Sequence, residues 1–142
     1  MTDASGGSPP TDWLRAGRAR PAVAACADVA WLVAFVLLGR SSHTEGESVA
    51  GVARTLWPFL VGLALGWIVA RAWRRPAALA PTGLVVWPVC VATAMVLRAV
   101  SGQGVAPAFV GVALAFVGLG LLGWRGGAGL VHRRLPSGPP AS

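Results

Sequence analysis

Among the residues of this chain whose types could do chemistry, Asp28 comes first. It sits inside an apolar run that begins at Pro21 and closes in a polar knot of Arg40, Ser41, Ser42 and His43. A charged carboxylate near the middle of a membrane span costs about 2.5–3.5 kcal/mol on insertion scales, so an acid there needs a partner or a task. Arg54 opens a second apolar run and Arg98 closes a third, on the side where Arg40 ends the first. Asp28, Arg40, Ser42, His43, Arg54 and Arg98 therefore form a candidate intramembrane polar site. Asp28 lies eleven residues inward of Gly39, about 16 Å deep at 1.5 Å per residue, on one helical stripe with Phe35 and Gly39. A funnel with a cationic mouth and an acid at its base would suit a proton- or cation-linked step. The plainer reading is an acid satisfied by a hydroxyl or backbone group of another helix, with Thr93 as a candidate. Arginines at the outer third of a bilayer keep a route to water. A direct arginine pair is thus the disfavoured arrangement, and the reading expects a largely protonated or otherwise paired Asp28 whose change to Asn keeps the fold.

Other constellations are weaker. His43, Glu45 and Glu47 alternate as three potential metal ligands, but a zinc site wants three or four ligands at fixed geometry, and a solvated acidic loop accounts for them. Cys26 and Cys90 lie in apolar runs, where a thiol is a small apolar filler. There is no Gly-x-Ser-x-Gly and no His-Glu-x-x-His. The glycines at 126, 127 and 129 lack the Lys-Ser/Thr of a phosphate loop and read as a flexible exit from the last apolar run. The chain offers no catalytic residue, no metal site and no cofactor motif, and reads as a non-enzyme.

The elements that must position these residues are membrane spans. Of 142 residues, 55% are hydrophobic and only 12% charged, against roughly 25% charged in soluble domains. The net charge of +7 comes from twelve arginines and no lysine. They flank apolar runs instead of lining one face, which indicates membrane topology and not nucleic-acid binding. Residues 1–20 read as a disordered basic tail. Four spans follow at about 21–38, 49–70, 77–100 and 105–124, each long enough for a hydrocarbon core of about 30 Å. The first is too long for the apolar part of a cleaved signal. Residues 126–142 read as a flexible basic tail. Nine arginines flank one side and Arg40, Arg54 and Arg98 the other, which puts both termini in the cytoplasm of a multi-pass plasma-membrane protein. Pro58, and Pro88 after Trp87, should kink the second and third spans. Gly62, Gly66 and Ala70 give one smooth helix-packing face, suited to a homo-oligomer. Gly66-Trp67 and Gly123-Trp124 echo each other at the ends of spans two and four.

These landmarks, in order, resemble a known family. Asp28, Gly39-Arg40 with Ser42-His43, Trp57-Pro58-Phe59 with Gly62, Trp87, Met95 with Leu97-Arg98, Phe109, and Gly123-Trp124-Arg125 are similar to the small bacterial membrane proteins grouped as domain of unknown function 3054. The resemblance covers about Ala22 to Arg125. It implies an all-α integral membrane bundle of four helices and carries no activity. This chain has Cys90 where the family pattern has threonine, and Ala94 where it has glycine. Two functions fit: an accessory or assembly role in the bilayer, within a larger membrane complex or a homo-oligomer, or a small proton- or cation-linked transporter subunit using Asp28.

Overall fold

A computed structural model describes residues 21–41 and 48–134, the side chain of His132 excepted. The proposed disordered N-terminal tail, Ser42, His43, the acidic connection through Glu47 and the last eight residues lie outside the described residues. Four helices make up the rest: α1 (Pro21–Ser41), α2 (Val49–Ala70), α3 (Leu84–Val100) and α4 (Pro107–Arg134). A short irregular turn of helix, Leu79–Gly83, leads into α3. All four spans are long and apolar enough to cross a bilayer, and no strand occurs among the described residues. The fold is an all-α bundle of four candidate membrane spans.

Burial follows the helical period. On α1 it falls at Ala24, Asp28, Leu32 and Val36; on α3 at Val86, Cys90 and Ala94; on α4 at Ala113, Val117 and Leu121. The opposite faces expose large apolar side chains such as Leu38, Ile68, Val96 and Leu119, the pattern of a bundle whose solvent is lipid. The helices touch in a closed ring, α1 against α2, α2 against α3, α3 against α4 and α4 against α1.

The closest seam is α2 against α3. A Cβ at Gly62 would collide with the Cys90 carbonyl oxygen, and one at Gly66 would lie 2.9 Å from that of Val86. Backbones approach this closely only where side chains are small, and in lipid that packing replaces the hydrophobic drive. The Gly62/Gly66 face is therefore filled from within the chain, with Ala70 half-buried at its end. The face packs closely against a helix as expected, and that helix is α3 of the same chain. Two indoles clamp α4 in a related way. Trp31 Nε1 donates to the Phe116 carbonyl at 2.9 Å and Trp87 Nε1 to that of Leu114 at 3.0 Å. Their rings occupy the space above Gly120 and Gly118.

The second span keeps its expected bounds, whereas the first runs on to Ser41, the third is broken near its start and the fourth runs past its expected end. Helix α2 carries Pro58 inside it as one element, and its N-cap is Ser48, whose Oγ accepts the Gly51 N–H at 3.1 Å. In the third span the break lies at its start, where Ala80 has φ −117° and ψ 134°, while Pro88 sits inside a continuous α3. Helix α4 does not dissolve at its glycines but continues through Gly126, Gly127 and Gly129 to Arg134. Each such glycine costs about 1 kcal/mol relative to alanine, yet a helix already nucleated over a full span extends at little further cost.

Candidate functional site

Asp28 lies seven residues into α1, about 10 Å from its first residue at 1.5 Å per residue. That depth is matched by the last turn of α2 and the end of the apolar part of α4. The carboxylate is fully buried, and so is the guanidinium it meets, that of Arg125. Arg125 Nη2 approaches Oδ2 at 2.7 Å and Nη1 approaches Oδ1 at 2.8 Å. This is the two-pronged arrangement for which guanidinium and carboxylate are shaped. Two indoles complete it: Trp67 Nε1 donates to Oδ2 at 2.9 Å, and Trp124 Nε1 to Oδ1 at 2.8 Å. Each carboxylate oxygen thus accepts two hydrogen bonds, which fills the roughly four acceptor sites of a carboxylate.

Arg125 is held just as firmly. Its Nε donates to the Pro76 carbonyl at 3.1 Å and Nη1 also donates to that of Leu121 at 2.8 Å. Its Cζ stands 4.5 Å from the centre of the Trp124 ring. Gly83 makes room for it, since a Cβ there would lie 3.1 Å from the arginine's Cδ. The connection between α2 and α3 is drawn into the same knot, with Thr82 Oγ1 donating to the Arg75 carbonyl at 2.9 Å. One ion pair therefore ties α1 to α4 across 97 residues of sequence, with α2 joined through Trp67 and the α2–α3 connection through Pro76.

Asp28 is consequently not the base of a funnel under Arg40, Arg54 and Arg98. The expectation of an acid without an arginine partner is overturned, and Thr93 is not among the groups bonded to it. In sequence Arg125 lies just past an apolar run, as a topological flank does, and nothing local marks it as standing at the acid's own level. The signal was present in the Gly-Trp echo, which sets Trp67 and Trp124 at one depth with Arg125 beside the second.

Between the two ends lie all four phenylalanines of the chain. Phe35 is in ring contact with Phe59 (5.3 Å), Phe116 (5.5 Å) and Phe109 (6.2 Å), and Phe116 stacks on Trp31 at 5.1 Å. Cys90 donates through Sγ to the Phe59 carbonyl at 3.5 Å.

Arg40, Arg54 and Arg98 do meet, at the opposite end. With Ser48, Thr55 and Gln103 they line an open cavity of about 500 Å³. Arg98 Nη1 donates to Gln103 Oε1 at 3.0 Å, and its Cζ lies 4.3 Å from the Phe109 ring centre. Arg40 lies across Gly51, where any Cβ would collide with its guanidinium. Among the described residues no group of three or more His, Cys, Asp or Glu gathers.

Comparison with known families gives one match, over residues 25–128, to a family of proteins of unknown function designated DUF3054. The chain belongs to this family. No curated protein and no solved structure matches it. Asp28 and Arg125 both fall within the matched region, so the ion pair lies wholly inside the family's domain. The chain is thus a multi-pass membrane protein of the DUF3054 family with four apolar helices.

Proposed function

We propose that this DUF3054 protein is an accessory or assembly component of the plasma membrane, neither an enzyme nor a proton or cation carrier. The observation that carries this reading is the saturation of Asp28. A carrier acid must be open to its cargo and must cycle between two states. Here both oxygens are occupied by four fixed donors, two of which belong to one positively charged guanidinium. Releasing the acid would leave a bare guanidinium in the interior, where an uncompensated charge costs about 3–5 kcal/mol. The packed phenylalanines also stand between this acid and the cationic cleft. Such a centre suits holding four helices in one arrangement so that their outer faces can meet something else.

The orientation belongs to the same proposal. Arg125 is withdrawn into the interior, yet eight arginines still flank the end that carries Pro21 and Arg134, against three at the other. This supports cytoplasmic termini. Two measurements test the function. Proteoliposomes carrying the purified protein and a pH-sensitive dye should show no flux above empty vesicles under an imposed gradient. Gentle extraction from native membranes followed by native electrophoresis should find the chain in a particle larger than its own oligomers. A flux abolished by Asp28→Asn in a folded variant would overturn the reading.

A further inference from the structure

We propose that the arginine end of the bundle is a binding site for an anionic phospholipid, the phosphate held by Arg40, Arg54 and Arg98 and an acyl chain lying against Phe35 and Phe109. The inference stands on two cavities that share a wall. The first, about 500 Å³, is the polar one already described, and its charged lining consists of those three arginines. The second, about 610 Å³, is chiefly apolar and is bounded by Phe35, Val36, Phe109 and Val112. Arg40, Thr55 and Arg98 line both. A ligand filling the pair must carry negative charge at one end and hydrocarbon at the other. A membrane supplies that chemistry at the level where α1 and α3 end.

The charges are not spent elsewhere among the described residues. The one described carboxylate, Asp28, is committed to Arg125 at the far end. Arg40 and Arg54 have no hydrogen-bond or ion-pair partner among the described residues, and Arg40 Nε and Arg98 Nε are buried without an acceptor. Buried donors left unpaired cost free energy, which phosphate oxygens would recover. The site is also shaped for this. Gly51 leaves the space that the Arg40 guanidinium occupies. Gln103 fixes the Arg98 guanidinium through Nη1, and Phe109 supports it from below while facing the apolar cavity. An arginine that merely snorkels to water needs neither support.

The proposal stands apart from the accessory role, since a lipid site could exist with or without a protein partner. It is tested with the purified full chain in neutral phosphatidylcholine nanodiscs or micelles, titrated with phosphatidylglycerol while thermal stability and native mass are recorded. Phosphatidylglycerol should bind saturably and raise the melting temperature, whereas added phosphatidylcholine should not. Inorganic phosphate, which lacks the chain, should bind at least about tenfold more weakly, given that burying a few methylenes at about 0.8 kcal/mol each is worth more than a factor of ten. Arg54 is exposed, so Arg54→Gln should leave the fold intact and weaken phosphatidylglycerol about tenfold, the loss expected for one charged hydrogen bond. Arg98→Gln should weaken it further. Equal response to both lipids, or an Arg54→Gln variant that binds as the parent does, would overturn the site. Phosphate binding as tightly as the lipid would overturn the acyl half and leave a solute-anion pocket.

Discussion

At the residue scale the protein is governed by one carboxylate and the groups that close around it. An isolated acid in an apolar run needs a partner, and the type of the residue alone made that legible. Its partner's identity was not, because an arginine just past an apolar run looks the same whether it snorkels outward or turns inward. Only the tertiary placement of α4, with Gly83 leaving room and the Pro76 carbonyl receiving Nε, brings Arg125 inside. The indoles make a graded prediction. Trp67→Phe and Trp124→Phe each remove one donor to a charged acceptor and keep an aromatic ring, so each should lower stability by about 1.5–3 kcal/mol, read by chemical denaturation in detergent. Neither should match the loss in Asp28→Asn. If both behave as wild type, the indole bonds add nothing to the pair.

At the scale of the element, glycines divide into those that carry a contact and those that do not. Gly62 and Gly66 admit α3, and Gly118 and Gly120 admit the rings of Trp87 and Trp31. Gly62→Leu should therefore reduce folded yield sharply, since overpacking a filled seam costs about 1–3 kcal/mol or more. Gly126 and Gly127 have no neighbour within 4 Å of an added Cβ and lie inside α4. Changing either to alanine should raise stability by about 0.5–1 kcal/mol through helix propensity alone. Melting curves of the purified variants decide both, and destabilisation by Gly126→Ala would mean that α4 ends before it. The positions of the four spans were readable from apolar run length, because bilayer thickness sets that length. What was not readable was which face of each span meets which neighbour. The Gly62/Gly66 stripe announces a close contact, yet the same stripe would suit a second copy of the chain or, as it happens, α3.

At the scale of the whole molecule, the ring of four helices has polar contacts at both ends and an aromatic centre. One end is sealed by a pair that joins the first and last spans, and the other is open and cationic. Reporter fusions at Glu45, Arg75, Gln103 and the C-terminus should place Glu45 and Gln103 outside and the other two inside. An outside C-terminus would reverse the topology. The central claim is that the Asp28–Arg125 pair locks the bundle, and a double-mutant cycle on that pair tests it most directly. Asp28→Asn and Arg125→Gln should each lose about 3–5 kcal/mol, because each strands its partner in the interior. The double variant strands neither, so it should lose far less than the sum of the two, with a coupling of up to about 3 kcal/mol. Losses that add within about 0.5 kcal/mol, the behaviour of independent sites, would contradict the lock.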